Sequence, residues 1–285
     1  MSVYYITFWG ILVREEVMNL KKKLKFLNAF LAVGLLVSPT TVLAKDIGWG
    51  IPKKAAGEDQ PFPGAEYDEI VRQNDAYYIG TADDNAVYLT FDCGYENGNL
   101  PMILDALRDH GVSALFFLTG HFMEEEPELV LRMVNEGHLV GNHTYDHPNL
   151  TTVSQERFIS EMTRAEEKFT EITGEQMAKY LRPPEGKFNQ EMLDWAADAG
   201  YYTILWSLAY VDWYVDKQQG ADHALTQVMN RIHPGAIILL HSTSSDNAEA
   251  MDQLLPAIKG AGYEFKTLDD LVGQDVLAEE IEISL

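Results

Sequence analysis

Apolar residues along the chain gather into short, almost unbroken runs, with amphipathic stretches between them. Seven runs read as strands, beginning at Ala86 (AVYLTF), Ala114 (ALFFLTG), His138 (HLVGN), Ala178 (AKYLRP), Tyr202 (YTILWS), Ala236 (AIILLH) and Tyr263 (YEFKTL). A strand that is apolar at consecutive positions is covered on both faces, as in parallel sheets. Helical spacing fills the gaps at Leu100–His110, Pro127–Glu136, Thr152–Thr173, Asn189–Ala199 and Asp246–Lys259, and a glycine follows each of these segments. Glycine accepts the left-handed backbone on which helices end, so the punctuation supports the assignments. Strands alternating with helices give an α/β fold with a parallel sheet. No dinucleotide fingerprint follows the first strand, so a closed or nearly closed (β/α) barrel of seven strands is expected rather than an open doubly wound sheet.

The pattern also divides the chain. Residues 85–275 hold the barrel. Residues 45–84 are rich in Gly, Pro and charge and read as an extended lead-in with one short helix near Glu66–Asn74; residues 276–285 form a tail. Residues 1–44 read as a Sec signal peptide: a basic Lys21–Lys25 stretch, an apolar run from Phe26 to Val37, and small residues before Ala44. The apolar run is short for a membrane span, which leaves an uncleaved anchor as the one membrane association to consider. Residues 1–17 precede the basic stretch and read as a mis-assigned start, with translation beginning at Met18. The protein is therefore expected to be exported, and to act as a monomer.

Charge narrows the partners. The net charge is −23; five basic and two acidic residues lie before Lys45, so the remainder carries 16 against 42, or −26. Nucleic acid and anionic membranes are poor partners for such a surface. Cys93 is the single cysteine, so no internal disulfide forms.

In a parallel barrel the functional groups collect where strands end. Those ends carry Asp92-Cys93, then His143 and His147, then Arg182-Pro-Pro-Glu-Gly186, then Trp206 with Asp212-Trp213 downstream, and His241. A spacing of four can bring two imidazoles to one divalent metal. Asp92 is the candidate general base, Arg182 the cation that keeps it ionised, and His241 the general acid. The remaining histidines, His110, His121, His138, His223 and His233, read as structural or solvated.

These segments, in this order, resemble the five motifs of the NodB-type polysaccharide deacetylases, carbohydrate esterase family 4, over about Val87 to Leu271. The resemblance implies a distorted (β/α)7 barrel and a metal, usually zinc. It implies Asp92 as base, Arg182 holding it, His241 as acid, and a metal bound by His143, His147 and the residue at Cys93. Tyr95, Glu185, Trp206, Asp212 and Trp213 would then contact substrate. Finer features, such as Trp206-Ser-x-Ala-Tyr-Val-Asp-Trp213 and Ser244-Ser-Asp-Asn-Ala-Glu249, resemble the sporulation deacetylases that act on N-acetylmuramic acid during muramic δ-lactam synthesis. The resemblance thus implies a peptidoglycan substrate and a location outside the cell, in the wall or between forespore and mother cell. An acetyl esterase or chitin-type deacetylase, or a silent glycan-binding relative, are the alternatives.

Three departures accompany the resemblance. Cys93 stands where the family has a metal aspartate, and is either a thiolate ligand or a small buried thiol. Glu185 stands where this branch usually carries arginine, an acid that disfavours an anionic glycan. Ser207 or Ala209 occupies the position of the aspartate that orients the acid histidine, leaving open whether Asp212 replaces it.

Overall fold

The computed structural model describes residues 45–54 and 58–273. The expected leader at 1–44, with its surplus residues 1–17, and the tail at 276–285 lie outside the described residues. All elements below belong to one compact unit ending at Leu271.

The lead-in supplies β1 (Ile47–Gly48), α1 (Ala65–Arg72) and β2 (Ala76–Tyr77). The barrel strands follow as β3 (Ala86–Cys93), β4 (Leu115–Leu118), β5 (Leu139–Asn142), β6 (Tyr180–Leu181), β8 (Tyr202–Ile204), β9 (Ala236–His241) and β10 (Glu264–Phe265); β7 (Lys187–Phe188) lies outside them. In the main sheet all these strands pair in parallel, in the order β10-β3-β4-β5-β6-β8-β2, with β9 along β3 from Val87 to Asp92. A parallel bridge between Leu208 and Ile238 joins the chain after β8 to β9 and closes the sheet. The result is a distorted (β/α) barrel.

All seven expected strands form, but the seventh is not a full stave. β10 pairs only with Ala86 and Val87 at the base of β3, whereas β4 pairs with β3 from Thr90 upward. Its sequence explains this: Glu264 is exposed and Phe265 half-buried, the alternation of an edge strand rather than of a fully covered one. β2, which the pattern of residues did not reveal, pairs with the base of β8.

The expected helices appear as α2 (Leu100–His110), α4 (Pro127–Asn135), α5 (Gln155–Thr173), α6 (Gln190–Asp198) and α8 (Ser245–Gly260). Two more, α3 (Gly120–Glu125) and α7 (Ala221–Met229), were not foreseen. α3 is too short to show a helical period and starts from the Thr119 hydroxyl, which accepts the Phe122 N–H at 3.2 Å. Ser154, Asn189 and Ser244 cap α5, α6 and α8 in the same way.

β3 organises the core because it is buried along its whole length. Val87, Leu89, Phe91 and Cys93 join an apolar cluster with Ile103, Leu104 and Leu107 of α2 and Leu254, Leu255 and Ile258 of α8. Side chains alternate across a strand, so Tyr88, Thr90 and Asp92 face the other way, into the barrel. Each large apolar side chain buried there contributes about 1.5–3 kcal/mol, which fixes the register that sets Asp92 at the rim.

Candidate active site

Pairing places the two proposed proton-transfer groups side by side. Asp92 is the last residue but one of β3, His241 ends β9, and they are register partners. Arg182, one residue beyond β6, is fully buried and donates from Nη1 to Asp92 Oδ1 at 2.8 Å. Its Nε and Nη2 donate to the carbonyls of Ile204 (3.1 Å) and Leu205 (3.3 Å), and the guanidinium lies 4.2 Å from the centre of the Phe117 ring. Each nitrogen of the buried guanidinium thereby has an acceptor, as a charge out of water requires. Burial works against ionising Asp92, but Arg182, with His143 and His241, outweighs it and holds the carboxyl below the usual carboxylate range. Asp92 is therefore a carboxylate at neutral pH.

His143 follows β5 directly. Its Nδ1 meets the Arg182 carbonyl at 2.8 Å, which leaves Nε2 facing Asp92 Oδ2 at 3.6 Å. Burial pushes its pKa down to about 4, so the imidazole is neutral. The His147 ring stands edge-on, 4.9 Å away centre to centre. The loop between them is strained: Thr144 has φ +68° and His147 φ +54°. Of the four non-glycine residues with positive φ among the described residues, these two and Glu185 (φ +57°) lie in site loops. Such backbone persists only where its surroundings enforce it. Here Asn142 Oδ1 accepts the Thr144 N–H at 2.8 Å, and buried Glu161 of α5 accepts the N–H groups of Tyr145 (2.8 Å) and Asp146 (2.7 Å). Gly141 serves this loop too, since a Cβ there would lie 2.9 Å from both the Phe117 ring and the Tyr180 carbonyl.

His241 is oriented by Asp212. The carboxylate takes His241 Nδ1 at 2.7 Å through one oxygen; through the other it takes the His241 N–H at 2.8 Å and Asn247 Nδ2 at 2.7 Å. Burial disfavours the imidazolium, yet the hydrogen bond and charge of Asp212, with Asp92 adding, leave the His241 pKa above its ordinary value. This resolves the third departure: Asp212 does orient His241, the candidate acid. It also corrects the assignment of Asp212 to substrate binding, because it is buried and both its oxygens are engaged.

Cys93 lies on the opposite face of β3 from Asp92, within the core cluster. Burial above all pushes its thiol pKa far up. Its side chain packs with Val87, Leu89 and Phe91 on the face of β3 turned away from Asp92, so Cys93 is placed as a buried core thiol. The two imidazoles are the donors left for a divalent cation: His143 is neutral with Nε2 not taken by the Arg182 carbonyl, His147 stands against it, and Asp92 lies beside His143, although among the described residues no three His, Cys, Asp or Glu side chains converge on one point.

The other substrate-contact candidates separate. Tyr95 and Trp213 are exposed, and the Trp213 ring lies 5.5 Å from that of His241. Trp206 is half-buried; its carbonyl accepts Trp49 Nε1–H at 2.9 Å. Its ring fits against Gly186, where a Cβ would come within 2.6 Å and where φ is +63°. Glu185 is exposed but is paired with Lys187 at 2.6 Å, so the acid at this position is offset. Reading the sequence missed Asn247 and Glu161. Asn247 stands inside the quoted Ser244–Glu249 segment, while nothing local marks Glu161 as more than a helical acid.

A family profile described as polysaccharide deacetylase matches residues 79–204. The chain is 41% identical over 244 residues to the peptidoglycan-N-acetylmuramic acid deacetylase PdaA of Bacillus subtilis, a match covering 86% of this chain and 92% of that protein. A solved structure of PdaA, described as a family 4 carbohydrate esterase, aligns with a TM-score of 0.79 and covers 81% of this chain and 98% of that one. A peptidoglycan-N-acetylglucosamine deacetylase of Bacillus cereus is 36% identical over 198 residues, covering 68% of this chain and 70% of its own length.

Proposed function

The chain belongs to the polysaccharide deacetylase family, and from that premise we propose that it removes the N-acetyl group of N-acetylmuramic acid in peptidoglycan, with zinc as the metal. The single observation that carries the reading is the buried Arg182–Asp92 pair, set beside His143 Nε2 and next to His241. A divalent metal held by His143 and His147 would polarise the acetamide carbonyl and acidify a water molecule. The protein groups do the rest. Asp92, kept ionised by Arg182, accepts the proton of the attacking water. His241, kept protonated by Asp212, gives a proton to the amine as the C–N bond breaks. Trp213 and Tyr95 offer exposed ring faces to the sugar.

In this reading the protein is exported, as the expected leader at 1–44 supports, works as a monomer and serves spore-cortex synthesis. The test is incubation of the purified protein and zinc with peptidoglycan, followed by assay of free acetate and mass spectrometry of the muropeptides. Acetate release with muramic residues lacking their acetyl group is expected. No acetate from peptidoglycan would overturn the proposal. The likeness to the peptidoglycan-N-acetylglucosamine deacetylase of Bacillus cereus supports a second reading, in which N-acetylglucosamine is deacetylated instead; the same spectra show which sugar has changed.

A further inference from the structure

Behind His241 and Asp212 lies a buried amide that no step of the reaction uses. Asn247, in the first turn of α8, is wholly out of solvent. Its Nδ2 donates one hydrogen to Asp212 Oδ2 at 2.7 Å and the other to the His241 carbonyl at 3.2 Å. Its Oδ1 accepts the hydroxyl of buried Tyr210 at 2.5 Å. Burial above all pushes the Tyr210 pKa far up, so that hydroxyl stays a donor. An amide has two orientations half a turn apart, and here only one of them suits every neighbour. Turned over, Oδ1 would face a carboxylate and a carbonyl, and the Tyr210 hydroxyl would lose its acceptor. The backbone is fixed around the same point. Ser244 Oγ accepts the Asn247 N–H at 3.2 Å and donates to Gln218 Oε1 at 2.7 Å, while Gln218 Nε2 donates to the Asp212 carbonyl at 2.8 Å. Asp212 is thus joined to the start of α8 twice, by its carboxylate through Asn247 and by its carbonyl through Gln218.

We infer that Asn247, with its amide set by Tyr210, is a positioning residue for deacetylation: it holds Asp212 against His241 Nδ1, so that Nε2 is the nitrogen left to protonate the departing amine. The inference rests on the deacetylase reading and adds to it two residues that do not meet the substrate. A carboxylate turns about its own bond to the chain unless both oxygens are engaged. Asn247 and the His241 N–H share Oδ2, which reserves Oδ1 for the imidazole. Without Asn247, Oδ2 keeps the His241 N–H alone, and the His241 carbonyl loses this donor. Buried networks of this kind specify one geometry only when every member is satisfied.

Dependence on the leaving group separates this role from a merely structural one. An amine needs a proton from His241 to depart, whereas 4-nitrophenolate leaves as a stable anion. Asn247→Leu keeps the size of the side chain but donates nothing. Its kcat for acetate release from peptidoglycan should fall about 10–100-fold with little change in KM, a part of the roughly 10²–10⁴-fold that a general acid contributes. The fall on 4-nitrophenyl acetate should be smaller, so the ratio of ester to amide rates rises. Tyr210→Phe, which deletes one oxygen, should move the ratio the same way by a smaller factor, and it carries the comparison where Asn247→Leu fails to fold. Proton NMR supplies a second readout: the downfield His241 Nδ1–H resonance, assigned by its absence in His241→Ala, should shift or broaden in both variants. Equal losses on the two substrates, or no loss on peptidoglycan, overturn the positioning role and leave the deacetylase reading intact. Where the wild-type protein does not cleave the ester, an unmoved resonance overturns the role and a shifted one supports it. A wild-type protein that releases no acetate from peptidoglycan overturns the deacetylase reading instead, and the resonance still reports whether Asn247 holds the Asp212–His241 pair.

Discussion

Replacing Asp212 by asparagine tests the acid assignment most directly. The carboxylate meets three donors, His241 Nδ1, the His241 N–H and Asn247 Nδ2, at 2.7–2.8 Å. An asparagine offers one oxygen and one NH2 in its place. If the oxygen faces the His241 N–H and Asn247, the NH2 points at Nδ1 and forces the imidazole into the neutral tautomer with that nitrogen as acceptor. If the oxygen faces Nδ1, two donors oppose the NH2. Either way at least one charge-assisted bond, about 1.5–3 kcal/mol, is lost. The burial that already disfavours the imidazolium is then no longer opposed by Asp212. General acid catalysis contributes about 10²–10⁴-fold, so kcat should fall within that range with little change in KM. The pH profile carries the sign. A raised His241 pKa keeps the acid form present to higher pH, and activity declines as pH rises through it. In Asp212→Asn that decline moves to lower pH. Steady-state acetate release across pH reads both effects. Unchanged kcat together with an unmoved alkaline limb would refute the argument.

Other outcomes follow from the same geometry. Arg182→Met leaves the Asp92 carboxylate buried without its partner, and should lower stability by about 3–5 kcal/mol in urea unfolding as well as abolish activity. Because the Asp92 pKa is depressed, its pairing stabilises the fold above the unfolded carboxyl pKa and is lost as pH falls through the folded one; wild-type unfolding measured at pH values below the ordinary carboxyl pKa should report this, and Arg182→Met should lack it. Cys93→Ala removes a core thiol and should leave metal content unchanged in elemental analysis; loss of the metal would make the thiol a ligand after all. Glu161→Gln weakens the acceptor of the Tyr145 and Asp146 N–H groups, and should lower metal affinity about 10–100-fold, as loss of an outer support does, measured by competition with a chelator.

Much of this arrangement was legible in the residues themselves. Runs such as AIILLH are apolar at every position, which only a strand covered on both faces requires, and their polar endings mark the rim on which Asp92 and His241 meet. What escaped depends on longer contacts or on face. Asp212 and His241 are 29 positions apart, and their meeting depends on how the loop after β8 folds back and is braced by Gln218 and Asn247. Cys93 could have been placed correctly. A residue next to Asp92 on a regular strand faces the opposite way, and the alternation Val87, Leu89, Phe91, Cys93 already put it with the core. Glu185 looked like an uncompensated acid because its partner Lys187 lies beyond a left-handed turn that no local pattern announces.

The segment Asp46–Trp49 reaches the hydrolytic cleft from a distant part of the chain. Ile47 and Gly48 pair with Phe188 and Lys187, the Trp49 N–H is held by Gly186, its indole by the Trp206 carbonyl, and Asp46 by Asn189. These few residues act as a latch on the backbone between Glu185 and Asn189. Purification tags or linkers grafted just ahead of Lys45 would pull on that latch, so placing them after the barrel is the safer engineering choice.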